Sequence, residues 1–426
     1  MRADDIRPLV HALLGGEPPV TVELWDGSHL GPPPASSPAV VRVRNRRAVR
    51  HLVWQPNELG LGRAYVAGDI DVDGDIFAAL AVRDLLADAD DRVRIGGRSL
   101  RRQALRAAVR TGAVGPPPRR PPEEARLTGR RHTRARDAAA IRHHYDVSND
   151  FYRLVLGETM TYSCAYWADE GMTLDDAQRA KYELVCRKLG LAPGMRLLDV
   201  GCGWGGMVIH AAREHGVRAV GITLSPAQWE LAQKRVAEAG VADRVEVRLQ
   251  DYRDVTDGPY DAISSIGMFE HVGLERLREY FTRLHALLRP EGRLLNHAIS
   301  RPRPGPSGFD RHSFIDHYVF PDGELHEVGT VVTAMQELGF EVRDVESLRE
   351  HYGRTLRAWV ANLEANWEAA VAAAGSGRAR VWRLYMAASA LNFEANRTSV
   401  HQVLAVKPGP GGSSGMPPTR HGFVVP

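Results

Sequence analysis

Short apolar runs that end in glycines or polar residues recur through the middle of the chain, with amphipathic stretches between them. Leu197-Leu198-Asp199-Val200 runs into Gly201-Cys202-Gly203-Trp204-Gly205-Gly206. Val217 to Ile222 ends in Thr223-Leu224-Ser225-Pro226-Ala227-Gln228, Val245 to Leu249 in Gln250-Asp251-Tyr252, and Tyr260 to Ile266 in Gly267-Met268-Phe269-Glu270-His271. Runs of this length, spaced by helical stretches, predict an α/β fold over 195–300 with a parallel sheet. Polar groups at four successive strand ends describe a nucleotide-like pocket along one edge of that sheet. The glycines after the first strand let backbone turn tightly and approach a ligand. A dinucleotide fold would place an acidic residue after the second strand; this chain has Thr223, Ser225 and Gln228 there.

The flanks read differently. Residues 1–112 predict a separate, smaller α/β domain. It has an amphipathic helix over 3–14, a strand over 20–25 ending at Asp26-Gly27, strand-like alternation over 39–54, a glycine-punctuated stretch over 59–69, and helices over 74–88 and 97–111. Residues 113–137, with Pro116-Pro117-Pro118, Pro121-Pro122 and many arginines, predict a linker. Residues 138–407 then form one domain with a helical lead-in, and 408–426 predict a mobile tail.

Composition narrows the class. Hydrophobic residues make up 44% and charged residues 25%, as in ordinary globular domains. No apolar run reaches about eighteen residues, so no transmembrane helix is expected. The first residues lack the features of a signal peptide, and three cysteines without metal spacing suit a reducing, cytoplasmic setting. The net charge of +3 implies no general attraction to polyanions. Arginines nevertheless cluster over 92–136, and Arg98, Arg102, Arg106 and Arg110 share one helical face with Arg101 beside them. That face suits contact with anionic lipid at the inner side of a membrane. His210, His215 and His285 fall on helices, and His312, His317 and His326 are irregularly spaced, so no metal is expected.

Several blocks agree in order with one family. They are His144 to Tyr152, Thr161 to Trp167, the glycine turn, Thr223-Leu224-Ser225, Phe269 to Gly273, Phe314 to Gly323 and His351 to Trp359. With them the chain resembles the cyclopropane-fatty-acyl-phospholipid synthases. The resemblance implies a class I S-adenosylmethionine (SAM) dependent methyltransferase: a Rossmann-like α/β fold with a mostly parallel seven-stranded sheet. It implies methyl transfer to the cis double bond of an unsaturated phospholipid acyl chain, with bicarbonate removing a proton. The implied catalytic residues are Cys164, Glu270, His297, Ile299 (through its backbone) and Tyr352. SAM would meet Tyr162, Ser163, Asp199, Gly201 and Gly203, its ribose Thr223, Leu224, Ser225 and Gln228, and its adenine Asp251 and Tyr252. A homodimer is implied by analogy.

Two departures stand out. Ser389 falls where many members have a cysteine, and Asn296 and Ala298 flank His297 where the family usually has an apolar residue and Thr. The motifs serve steps shared by cyclopropane formation and by formation of a 10-methylene branch, so both products stay open. A nucleic-acid methyltransferase would carry an Asn-Pro-Pro-Tyr-like or Pro-Cys element after the fourth strand. Gly267 to His271 is neither, so no nucleic-acid partner is expected.

Overall fold

The computed structural model describes residues 3–14, 16–87, 102–103, 105–125, 136, 147–305 and 313–423. Arg98, Arg101, His144, Tyr145, Asp146, His312 and most of 126–146 lie outside them. The chain forms two compact units. One comprises Met1–Arg126, Asp310–Val319 and Ala370–Leu391; the other comprises Leu127–Phe309, Phe320–Ala369 and Asn392–Pro426. The expected division, with a linker over 113–137 and one continuous domain beyond it, is therefore corrected. Glu124, placed in that linker, is a buried member of the first unit. It accepts both branches of the Arg63 guanidinium at 2.9 and 2.6 Å and sits 3.0 Å from His317 Nδ1. Burial alone would raise its pKa; His317 and Arg63 overcome that and hold it at about 2. The returning stretch 370–391 is tied in the same way. Arg380 forms a forked pair with Asp71 at 3.1 and 3.0 Å, and Arg383 donates to the carbonyl of Val72 at 3.0 Å.

The first unit holds a four-stranded sheet in the order β2-β1-β3-β4, from β1 (Thr21–Leu24), β2 (His29–Leu30), β3 (Ala39–Val43) and β4 (Ile70–Gly74). Only the start of 39–54 is a strand. Asn45 accepts from the Arg47 amide at 2.8 Å and caps a helix, Arg46–Trp54. The glycine-punctuated stretch is also a helix, Glu58–Val66. Its glycines reflect close approach rather than a turn. A Cβ on Gly60 would lie 2.0 Å from the Gln55 carbonyl oxygen, and one on Gly62 2.4 Å from the Phe314 ring.

The second unit is built on β5 (Arg196–Val200), β6 (Arg218–Thr223), β7 (Val245–Leu249), β8 (Tyr260–Ile266), β9 (Leu288–Arg301), β10 (His326–Glu327), β11 (Glu341–Ser347) and β12 (Ser399–Val406). The sheet runs β11-β12-β9-β8-β5-β6-β7, the seven strands expected, and the two-residue β10 pairs with β9. Strands β9-β8-β5-β6-β7 are parallel, while β12 is antiparallel to both β9 and β11. One core packs Tyr280, Phe281, Leu284, Val331 and Met335 against the sheet. A second packs Val185, Cys186, Leu189, Met207, Val208 and Ala211 with Leu197 and Ala219. Strands covered on both faces read as continuous apolar runs, so the polar groups collect at their ends.

As far as Phe423, the last described residue, the terminal segment is not the mobile tail expected from its glycines. Phe423 is buried and joins the second core, with Met416 packed against it. Arg420 pairs with Asp344 at 2.9 Å, and Arg293 donates to the Gly415 carbonyl at 3.1 Å. One aromatic side chain and two arginines outweigh the flexible composition. Phe423→Ala should cost about 3 kcal/mol, read as a lower thermal midpoint by calorimetry. An unchanged midpoint would mean that the segment is not docked.

Candidate active site

The cavity of the second unit lies at the ends of β5, β6 and β8. Gly201 and Gly203 line it, both in the left-handed region with φ of 83° and 55°. A Cβ on Gly201 would also come within 3.0 Å of Met268, so glycine is required twice over there. Thr223, Leu224 and Gln228 form one wall; Thr223 Oγ1 donates to Gln228 Oε1 at 2.8 Å. Tyr252 and Gln250 line the cavity as well.

Tyr162 and Ser163 close the opposite side, and two residues that sequence reasoning missed hold them. Gln178 and Lys181 stand one turn apart on the helix Leu174–Leu189, both buried. Gln178 Nε2 donates to the Ser163 carbonyl at 2.9 Å, and Lys181 Nζ donates to Ser163 Oγ at 3.0 Å. Tyr162 stacks on Trp359 with ring centroids 5.3 Å apart. The available signal was two polar residues among the apolar positions of one helix face. Burial lowers Lys181 to about 7, and nearby Cys164 and Asp199 only partly oppose this. Asp199, which accepts from Ser264 Oγ at 2.7 Å, is raised by burial to about 6.

Two of the residues expected to meet SAM are engaged in local hydrogen bonds beside the cavity rather than lining it. Ser225 does not line the cavity: its hydroxyl caps the helix Pro226–Glu238 by accepting from the Gln228 amide at 3.2 Å. Asp251 does not line it either. Its carboxylate is taken by Arg253 at 2.8 and 2.6 Å, so it is not a ready acceptor for an adenine amino group. Both positions favour local capping and pairing, which a motif cannot reveal.

Adjacent residues of the Phe269-Glu270-His271 block part ways. His271 lines the cavity, and desolvation lowers it to about 4, so it is a neutral imidazole near pH 7. Glu270 is buried, and its Oε1 accepts from the Ile299 backbone amide at 2.7 Å. Its Oε2 has no hydrogen-bond partner among the described residues. Burial raises Glu270 to about 7, and the Ile299 amide only partly opposes the rise.

His297 lies two residues before Ile299 on β9 and is also buried. Its Nδ1 is 3.2 Å from Gln402 Nε2, while its Nε2 has no partner among the described residues. Lys188 Nζ donates to the other end of the same amide, Gln402 Oε1, at 2.8 Å and also pairs with Glu346 at 2.5 Å. An ammonium only donates, so the oxygen of Gln402 must face Lys188 and its NH2 must face His297. His297 Nδ1 is then the acceptor, and the ring proton sits on Nε2. Burial, with Lys181 and Lys188 nearby, holds His297 neutral by pushing its pKa well down. The site thus presents a buried acceptor, Glu270 Oε2, and a buried donor, His297 Nε2.

Cys164 and Tyr352 belong to a neighbouring layer. The Cys164 sulfur lies 3.6 Å from the Leu348 carbonyl, and the Tyr352 amide donates to that same carbonyl at 3.1 Å. Burial raises the Cys164 thiol, which makes it a poor nucleophile. Tyr352 packs on Phe393 and edge-on to Trp359, the ring that also stacks on Tyr162. Ser389 is buried on the helix Ser376–Glu394, within the stretch that belongs to the first unit.

Comparisons with known proteins agree with this geometry. Residues 132–403 match the family model for mycolic acid cyclopropane synthetase. A probable fatty acid methyltransferase of Mycobacterium tuberculosis is 44% identical over 94% of both chains. The cyclopropane-fatty-acyl-phospholipid synthase of Escherichia coli is 33% identical over 87% of this chain and 88% of its own. Among solved structures, a mycolic acid cyclopropane synthase complexed with SAH and CTAB superposes with a TM-score of 0.59 at 38% identity, covering 63% of this chain and 98% of its own. The chain belongs to the mycolic acid cyclopropane synthetase family and is a SAM-dependent methyltransferase.

Proposed function

We propose that this enzyme methylates the cis double bond of an unsaturated phospholipid acyl chain and closes a cyclopropane ring, with bicarbonate bound at Glu270 and His297. The observation that carries the reading is the buried pair of unpartnered atoms, Glu270 Oε2 and His297 Nε2. Such atoms are costly unless a ligand meets them. A bicarbonate needs both kinds of partner. His297 Nε2–H would donate to one of its oxygens, and Glu270 Oε2 would accept from its hydroxyl. Tyr352 and Cys164 stand in the adjoining layer.

Bound SAM supplies an electrophilic methyl group, and bound bicarbonate supplies a base. That methyl would go to an alkene carbon, with the cofactor sulfur leaving as a neutral thioether and the positive charge passing to the acyl chain. The residues' work is to hold the partners in line and to exclude water that would trap the cation. Tyr162, Trp359, Tyr352 and Phe393 give aromatic faces that stabilise positive charge without reacting with it. Loss of a proton from the new methyl closes the ring; a hydride shift before that loss gives a methylene branch. Proton NMR of lipids from an expressing host separates the two, because ring protons lie far upfield of vinylidene protons.

Membrane contact is assigned to the first unit. In support, Leu105 and Val109 share one face of the helical stretch 105–110 and are 54% and 63% exposed, while Ala107 and Ala108 are buried. Arg102, Arg106 and Arg110 are exposed beside them. Exposed Trp54 donates to the Gly115 carbonyl at 3.1 Å, next to exposed Val114. Apolar residues with flanking arginines suit an anionic bilayer surface. Such contact would place the enzyme on the inner face of the cytoplasmic membrane.

Replacing Arg102, Arg106 and Arg110 with Gln should weaken sedimentation with anionic vesicles at low salt and flatten its salt dependence, at about 1 kcal/mol per arginine. Unaltered sedimentation would remove the assignment.

Glu270→Gln should lower turnover about 100-fold or more while SAM affinity, by titration calorimetry, stays within about twofold. In the parent enzyme turnover should rise as pH climbs through about 7, where Glu270 ionises. Lys181 and Asp199 titrate nearby, so the limb belongs to Glu270 only if this variant loses it. Stability carries a matching signature. A carboxyl whose folded pKa is raised binds more protons folded than unfolded, so its contribution falls as pH rises from about 4.5 to about 7. The variant should therefore gain thermal stability relative to the parent at pH 8 and not at pH 4. Full activity in Glu270→Gln would overturn the proposal.

Gln402→Glu tests the tautomer. A carboxylate still pairs with Lys188 but only accepts, so His297 must place its proton on Nδ1. Turnover should collapse with SAM affinity retained, and nitrogen NMR of the ring should report the switched tautomer.

A further inference from the structure

Away from the cavity, two adjacent helices bring together a set of metal-binding side chains. Cys186 is on the helix Leu174–Leu189; His210 and His215 are on the helix Gly206–His215. The Cys186 sulfur and one nitrogen from each imidazole all lie within 4.8 Å of one another. Glu183, one turn before Cys186, stands beside that set of three, against both imidazoles: its Oε2 is 2.9 Å from His215 Nε2 and 3.4 Å from His210 Nε2. Cys186 is buried and both histidines are half-buried.

We propose that Cys186, His210, His215 and Glu183 form a structural zinc site that joins these two helices. Zinc takes thiolate, imidazole and carboxylate together, at bond lengths of about 2.0–2.3 Å. Tetrahedral geometry at those lengths separates the donor atoms by about 3.3–3.8 Å; the Cys186, His210 and His215 atoms lie within small side-chain movements of that spacing, and Glu183 would have to turn toward Cys186 to take the fourth corner. The charges also match. A thiolate and a carboxylate neutralise the dication, and the imidazoles bind neutral; the thiol proton goes to solvent. Mixed sulfur and nitrogen ligation selects against magnesium and calcium, which prefer oxygen alone. Arg187 holds the other Glu183 oxygen at 2.7 Å and orients the carboxylate from outside.

The site's role follows from what the helices carry. One bears Gln178 and Lys181, which position Ser163; the other begins directly after the glycine turn. A cation between them would fix the spacing of two cavity walls without touching a reacting atom.

The test uses the full-length chain, reduced and stripped with chelator, then titrated with cobalt(II) and zinc. One equivalent of cobalt should give a thiolate-to-metal absorption band that zinc abolishes, and zinc should raise the thermal midpoint. Cys186→Ala removes a sulfur from the core, which lowers its metal-free midpoint, and it should lose both the band and the zinc-dependent rise. His215→Ala, at a less buried position, should bind zinc at least about tenfold more weakly, by chelator competition. A folded parent with no thiolate band would overturn the proposal. So would an unchanged band in Cys186→Ala, which would place the thiolate at Cys164 or Cys202. If Cys186→Ala does not fold, undiminished zinc affinity in His215→Ala would also overturn it.

Discussion

A carboxylate removed from water must be met by donors or it becomes an acid. Glu270 is met on one oxygen only, by a backbone amide of β9. That hydrogen bond fixes the direction of the side chain, and the bare second oxygen fixes what a ligand there must offer. It also requires β9 to run beside the 3-10 turn Phe269–His271, and β9 is held between parallel β8 and antiparallel β12. Strand pairing over the long β9 thus sets the chemistry at one end of it.

The same logic explains the polar residues buried behind the site. Lys188 is fully buried and would be untenable alone; Glu346 at 2.5 Å and Asp344 at 3.4 Å supply its counter-charge. Its remaining donor fixes the Gln402 amide, and that amide fixes the proton on His297. Lys188 on a helix and Gln402 on β12 therefore decide the tautomer of His297 on β9, although only His297 borders the proposed anion.

Much of this was legible beforehand because parallel sheets separate apolar strands from polar ends. The strands β5 to β8 and the glycine turn followed from periodicity, and the block at 269–271 from its place after β8. Gln178, Lys181, Lys188 and Gln402 did not. Lys188 and Gln402 act through partners far along the chain, Gln178 and Lys181 through a preceding segment with no regular structure of its own, and a polar residue on a helix looks solvated until its face is known. The local partners of Asp251 and Ser225, which are Arg253 and the Gln228 amide, were equally hidden, because capping and pairing depend on side-chain direction. The domain boundary was hidden because Glu124 and Arg380 find their partners at Arg63 and Asp71. Sequence distance says nothing of ion pairs that span so much chain. Phe423 shows the limit of composition, since one buried ring anchors a segment that glycine and proline would otherwise leave free.

The cavity itself poses an electrostatic question. A sulfonium cofactor is cationic, yet Lys181 lines the cavity. Desolvation answers it, because at a pKa of about 7 the lysine can release its charge at little cost. Asp199, poised at about 6, can take up a negative charge in the same range. Arrival of a cation favours both changes: it lowers the carboxylate's pKa and drives the lysine toward the neutral amine. A neutral Lys181 still donates to Ser163 Oγ, so the wall keeps its shape while its charge departs. Burial, which makes both groups expensive to ionise, is what lets the empty and filled cavity differ in charge without differing in fold.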